Sequence, residues 1–314
     1  MHSDDYHFSE EPFALGPDPK FLFMARSHSE VFSAMVSGVK EKKGLIVITG
    51  EDGIGKTTLI YALLRDLRDK IKIAFISTPI LDFKNMLETI LQELGVPLKE
   101  SQKDIGYLLI QFRKYLNQSC NRGEVVTVII DEAQRLNVEA LESLCRLTDP
   151  DTPAAKSLQI LLVGQPELCW MLNSEKLEAI NRKVGVFEQI KPMTREEGKE
   201  YIRHRLQFVG RDISEVFTPG AVKRIWKHAK GIPRVMNVIS DRALSIGHEK
   251  SRPIIDSKIV KEAMADLKDH EKAKMEESPS ANSRKGFYFM ATKAVIFMLS
   301  LGLFFLFLEG FHPK

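Results

Sequence analysis

The chain has 314 residues, 44% apolar and 28% charged, with 45 basic against 42 acidic residues and a net charge of +3. That length allows two domains with a sizeable core, and the near balance of charge leaves no strong nucleic-acid signal. Cys120, Cys145 and Cys169 are odd in number and lack metal-ligand spacing, which excludes a disulfide framework and points to free thiols in a reducing compartment.

In chain order, the polar start Met1-His2-Ser3-Asp4-Asp5 lacks a secretory-signal pattern. Residues 1–40 are expected to hold an N-terminal arm and a first helix, with Pro17 and Pro19 favouring extended backbone. The apolar run Leu45–Thr49 predicts a buried strand. It runs directly into Gly50-Glu51-Asp52-Gly53-Ile54-Gly55-Lys56-Thr57-Thr58, which is G-x-x-x-x-G-K-[ST] set between a strand and a helix. Gly50, Gly53 and Gly55 let the backbone curl so that successive N–H groups point at phosphate oxygens. Lys56 adds a charge near the β- and γ-phosphates, and Thr57 offers a hydroxyl to Mg²⁺. A helix from Lys56 to about Arg68 turns its positive end to the anion. All nine residues from Gly50 to Thr58 form the expected nucleotide-binding set.

Further strands are expected at Ile73–Ser77, Val125–Ile130, Leu158–Gly164 and Val186–Ile190, with helices between them that include Asp82–Leu94 and Asp104–Asn117. This alternation predicts an α/β fold, a parallel sheet flanked by helices on both faces over residues 41–192. The run ending at Ile130 delivers Asp131 and Glu132 to a strand tip. Asp131 is placed to join Thr57 in the Mg²⁺ shell, and Glu132 to orient and polarise a water, which favours hydrolysis. The alternative use of the pair is to cap the helix expected from Asn137 to about Leu147. ATP and Mg²⁺ are the implied ligands.

After Pro192 the strands stop. Thr194-Arg195-Glu196-Glu197 reads as a capping box opening a helix to about Phe208, and further helices are expected at Pro219–Lys230, Pro233–Glu249 and Asp256–Asp269. Residues 193–270 are therefore a helical lid domain. Residues 271–286, rich in Lys, Glu, Ser and Asn, read as a linker. Residues 287–308 are apolar with one charge, Lys293, and span roughly 33 Å as a helix, enough for a bilayer core. A buried hydrophobic hairpin or a docking helix is the alternative. Arg284, Lys285 and Lys293 lie on the N-terminal side, so the expected arrangement is a single-pass helix with the preceding domains cytoplasmic and residues 309–314 outside.

A phosphate-loop sheet followed by a helical lid resembles the AAA+ ATPases. The resemblance implies a nucleotide sensor at Gln165 and an arginine finger for a neighbouring subunit at Arg182, hence a homo-oligomer. It also implies a second sensor at Arg234, within Gly231-Ile232-Pro233-Arg234, which opens a lid helix. A loop glutamine and plain surface arginines are the alternatives.

The segment Phe13-Ala14-Leu15-Gly16-Pro17-Asp18-Pro19-Lys20-Phe21-Leu22-Phe23, then His28 and Glu30, narrows the resemblance to the ExeA/GspA family, the general secretion pathway protein A ATPases. Asp131-Glu132-Ala133-Gln134, Gly164-Gln165-Pro166-Glu167-Leu168 and Gly231-Ile232-Pro233-Arg234 are shared with it. The aromatic arm is expected to pack on the sheet or to lean on the adenine. The resemblance implies an ATP hydrolase of the bacterial inner membrane, serving secretion, pilus or exopolysaccharide-type envelope machines together with other envelope-assembly proteins. Full-length members carry a peptidoglycan-binding domain after the membrane helix, whereas this sequence stops six residues past that helix, so a separate partner is expected to supply that contact. A DNA-associated ATPase of the transposition-helper kind and a slow nucleotide-gated scaffold are the competing readings.

Overall fold

The computed structural model describes residue 6 and residues 8–16, 19–67, 71–79, 82–99, 104–148 and 155–277. In chain order these are α1 (Arg26–Lys40), β1 (Leu45–Thr49), α2 (Lys56–Leu67), β2 (Lys72–Ile76), α3 (Phe83–Glu93), α4 (Ile105–Asn121), β3 (Val126–Ile130), α5 (Val138–Arg146), β4 (Leu158–Gly164), α6 (Pro166–Leu172), α7 (Glu178–Asn181) and β5 (Val184–Gln189). Helices alone follow: α8 (Arg195–Phe208), α9 (Ile213–Val216), α10 (Pro219–Ala229), α11 (Pro233–Glu249) and α12 (Ser257–Glu277).

The five strands form one parallel sheet in the order β2-β3-β4-β1-β5. Every residue of β1, β3 and β4 is buried, because helices cover both faces and such strands need apolar side chains in both directions. Within β1, Leu45 and Val47 join a core shared with α3, α4 and α5, while Ile46 and Ile48 join one shared with α1 and α2. All five strands stand within two residues of their expected positions. The edge strand β5 starts at Val184 and ends at Gln189, and Ile190 still donates its amide to the Thr49 carbonyl at 2.8 Å.

The lid helices begin where their caps dictate. Thr194 and Glu197 close the expected capping box on α8, and Thr218 caps α10 with Pro219 in its first turn. Glu197 also accepts the Arg26 amide at 2.9 Å, so one carboxylate serves the first turns of both α8 and α1.

Two expectations need correction. The aromatic rings of the arm pack on the lid helices, and only Leu22 of the Phe21–Phe23 stretch packs against the core beside the sheet. Phe13 meets Phe217 edge-on at 6.1 Å between ring centroids, Phe21 lies 4.7 Å from Phe208, and Phe23 contacts Tyr201 and His204. Arg205 of α8, itself buried, donates to the main-chain carbonyls of Pro12 and Ala14 and stacks over Phe21. A buried guanidinium needs such acceptors, and the carbonyls of an extended arm supply them. The second correction concerns the linker, since α12 runs through to Glu277, past the expected end at Asp269. Lys, Glu, Ala and Met there are strong helix formers, and Asp266 and His270 face each other one turn apart.

Residues Met1–Lys261 form one compact unit and Glu262–Lys314 another. The expected membrane span 287–308, the tail 309–314 and the rest of the linker lie outside the described residues. Among the described residues no helix is long and apolar enough to cross a membrane. All three cysteines are free thiols.

Gly231 offers a direct test of how the lid joins the sheet. It sits at φ +78°, its carbonyl accepts the Met193 amide at 3.0 Å, and a Cβ there would lie 2.2 Å from the Met193 carbonyl oxygen. Gly231→Ala should therefore destabilise the protein by more than about 2 kcal/mol. Gly220→Ala within α10, where a Cβ would make only ordinary contacts with Ser257 and Thr218, should be neutral or stabilising by up to about 1 kcal/mol. Thermal melts of the two variants check the contrast; equal melting temperatures would contradict it.

Candidate nucleotide-binding site

The loop between β1 and α2 is shaped by two glycines. Gly53 (φ +72°) and Gly55 (φ +112°) occupy backbone that other residues rarely adopt. Gly50 does not, contrary to its expected part in the curl. It is required by close approach instead, since a Cβ there would meet the Ile54 side chain at 2.9 Å. Lys56 is buried, and its Nζ donates to the carbonyls of Gly50 at 2.9 Å and Glu51 at 3.0 Å. Burial pushes its pKa down, against the pull of Glu132, Asp52 and Asp131.

Because β4 lies between β1 and β3, the tips of all three converge on this loop. Thr57 Oγ1 donates to Asp131 Oδ2 at 2.6 Å, across 74 residues of sequence. Asp131 is 3% exposed. Burial raises its pKa above the ordinary carboxylate value, while the Thr57 hydroxyl and the Glu132 amide work against that rise. A hydroxyl and a buried carboxylate in contact are the donor set that a hard cation takes beside phosphate, so the pair fits Mg²⁺. Among the described residues no group of three or more His, Cys, Asp or Glu side chains could hold a metal. That suits an ion which draws most of its ligands from phosphate and water.

Asp52 through Thr58, Glu132 and Arg234 line a single cleft with Leu15, Gly16 and Phe21–Phe23 of the arm and with Tyr201 and Asn237 of the lid. The arm thus reaches the cleft while packing on the lid. Arg234 enters from the first turn of α11. Its amide donates to the Gly53 carbonyl at 3.2 Å, and its guanidinium bridges both Asp52 oxygens at 2.7 and 2.8 Å. Gln165 and Arg182 are not among the residues lining the cleft. Gln165 holds the N-cap position of α6 at the tip of β4, with no side-chain hydrogen bond to that helix. Arg182 closes α7, is 74% exposed and pairs with Glu178 one turn earlier.

Two residues here were not singled out as functional by sequence reasoning. His28, in the first turn of α1, is buried and donates from Nε2 to the Ile54 carbonyl at 2.9 Å, which fixes its tautomer and braces the loop. Burial lowers its pKa. Gln134 donates to the Glu132 carboxylate at 2.7 Å. Both lie in segments carrying the family resemblance, but the His28 contact spans 26 residues of sequence, which no local pattern encodes.

A parallel five-stranded sheet with this loop, followed by a helical lid, defines an AAA+ P-loop nucleotide-binding protein, and residues 39–172 match the AAA domain family. The matched residues carry that domain, and the chain is similar to General secretion pathway protein A of Aeromonas hydrophila. The two are 35% identical over 246 residues, 78% of this chain but 44% of that protein, so the chain spans less than half the length of this curated relative. Among solved structures, ORC2 of Aeropyrum pernix superposes with a TM-score of 0.63 at 18% identity, over 88% of this chain and 74% of that one. The RuvB branch migration motor of Thermotoga maritima gives 0.52 at 20% identity, over 79% and 73%. Identities this low carry the fold alone.

The raised pKa of Asp131 yields a prediction of definite sign. A carboxyl group that binds its proton more tightly when folded stabilises the fold at low pH and loses that contribution as pH rises through the folded value. At neutral pH the buried charge is therefore a cost. Without Mg²⁺ at pH 7, Asp131→Asn should melt at a higher temperature than the parental protein. The gain should shrink as pH is lowered, and Mg²⁺-dependent nucleotide binding should weaken. Melting curves across pH check the sign; a variant less stable at pH 7 contradicts it.

Proposed function

We propose that this chain is a membrane-anchored, self-associating ATPase that hydrolyses ATP in support of a bacterial envelope secretion or assembly machine. The observation that carries the reading is the convergence of Lys56, Thr57, Asp131 and Glu132 at the tips of β1 and β3, on either side of β4. The 35% identity to General secretion pathway protein A supports the secretion setting.

The loop amides and Lys56 hold the triphosphate, and Lys56 exchanges its carbonyl partners for phosphate oxygens. Thr57 and Asp131 would hold Mg²⁺, which when bound neutralises charge on the β- and γ-phosphates. The Glu132 carboxylate orients a water and takes its proton as the oxygen attacks the γ-phosphorus. The bond from that phosphorus to the bridging oxygen breaks, leaving ADP and phosphate. Arg234 leaves Asp52 to meet the γ-phosphate, and Gln165 at the tip of β4 responds to its loss. Arg182, exposed and away from the cleft lining, serves the site of a neighbouring copy.

Lys56→Ala should lose ATP binding, whereas Glu132→Gln should bind ATP and lose turnover. Mixing Arg182→Ala with Lys56→Ala protein should restore part of the activity, because mixed assemblies contain sites with both groups intact. Phosphate release and nucleotide-binding assays read these outcomes. Absence of turnover in the parental protein would end the hydrolysis reading, parental turnover by Glu132→Gln would remove Glu132 as the base, and no recovery in mixtures of a persisting oligomer would remove Arg182 as a finger acting in trans.

The anchor rests on the apolar residues 287–308, with Arg284, Lys285 and Lys293 at their N-terminal end against Lys314 alone beyond them, a bias that also favours a cytoplasmic ATPase. Full-length protein should sediment with the inner membrane and resist alkaline extraction. Recovery in the soluble fraction would overturn it.

A further inference from the structure

Glu132 does not stand freely at the tip of β3. Its backbone occupies the left-handed region at φ +52°, a conformation that costs a non-glycine residue of order 1 kcal/mol or more and persists only where its surroundings enforce it. Two residues on, the Gln134 side chain bridges two elements. Its Nε2 donates to Glu132 Oε2 at 2.7 Å, and its Oε1 accepts the Gln165 amide at 3.0 Å. These contacts leave one way to orient the Gln134 amide, since a carboxylate cannot donate and a backbone N–H cannot accept. Glu132 Oε1 makes no hydrogen bond with any described residue, so one oxygen is occupied and the other is left for a water.

The β4 tip is built to admit this bridge. A Cβ on Gly164 would lie 2.8 Å from Gln134 Oε1 and 3.0 Å from Leu168, so only glycine lets the side chain reach the next amide. The Gly164 carbonyl in turn accepts the Gly50 amide at 3.1 Å. A continuous path of contacts therefore runs from the start of the phosphate loop, across the β4 tip, to the Glu132 carboxylate.

We infer that Gln134 is a positioning residue that aims the Glu132 carboxylate at the attacking water and ties that aim to the tip of β4 beside the phosphate loop. This rests on the hydrolytic reading above. Gln134 touches neither nucleotide nor water. It acts by holding one oxygen of Glu132 in place, and glutamine alone among the common side chains brings a donor and an acceptor to those two points without adding charge beside Glu132.

The test is steady-state ATP hydrolysis by the full chain, together with binding of a non-hydrolysable ATP analogue. Gln134→Met keeps length and shape but removes both hydrogen-bonding groups, and should lower kcat by about 10–100-fold, as small misplacements of reacting groups do. Its KM and analogue affinity should stay within about twofold of parental. Gly164→Ala, which displaces the bridge from the other side, should show the same split between kcat and KM. In a Glu132→Gln background, Gln134→Met should cause little further loss, because both changes remove one function; a purely structural role would give additive losses. Should Gln134→Met fail to fold, Gln134→Asn, one methylene short of both partners, takes its place. Parental kcat in the Gln134 variant, a loss confined to analogue affinity, or additivity with Glu132→Gln would overturn the role while Glu132→Gln remains inactive. Parental turnover by Glu132→Gln itself would instead remove Glu132 as the base on which this inference rests, and no turnover by the parental protein would remove the hydrolytic reading.

Discussion

The hydrogen bond from Thr57 to Asp131 is the constraint around which the site is arranged. It joins the first turn of α2 to the tip of β3, and those elements meet only because β4 lies between β1 and β3 in a fully parallel sheet. Parallel strands put all their C-terminal ends on one edge, which is where open α/β sheets bind ligands. The loop, the acidic pair and the β4 tip thus arise from one topological choice. The cost is a carboxylate buried at 3% exposure, and a protein bearing such a group has reason to bind a cation there.

The lid is attached to that edge through short-range contacts of several kinds. Gly53 has no side chain, so the first turn of α11 can lie against the phosphate loop and bring Arg234 beside Asp52. Glu197 caps α8 while accepting the amide of Arg26 at the start of α1. Met193 and Gly231 exchange a backbone hydrogen bond at the junction. Each of these would be strained or broken by a change of lid angle, so a ligand that replaces Asp52 as the partner of Arg234 acts on the same junction that holds the lid.

The arm adds a second tie. Tyr6, Phe8, Phe13 and Phe21 are all buried, and aromatic pairs contribute about 0.5–1.5 kcal/mol beyond the apolar area they cover. Arg205 converts the arm's main-chain carbonyls into the acceptors that its own burial demands. The arm is therefore part of the lid's packing as well as of the cleft's rim, through Leu15 and Gly16.

Much of this was determined by the sequence alone. Five strands, the glycine loop, the capping boxes and the proline-opened helices depend on neighbours within a few residues, so periodicity and cap chemistry reveal them. Lys56, Thr57, Asp131 and Glu132 were legible for the same reason, as local patterns at strand ends. Only the tertiary structure decided that the arm covers the lid and that Gly50 is small for packing while Gly53 makes room for Arg234. It alone joined Gln134 to Gln165, and His28 to Ile54. Those contacts depend on the order in which strands lie side by side and on the path of a segment without periodicity. Hydrophobic pattern does not encode either, because it records which face of an element is buried and not which neighbour buries it.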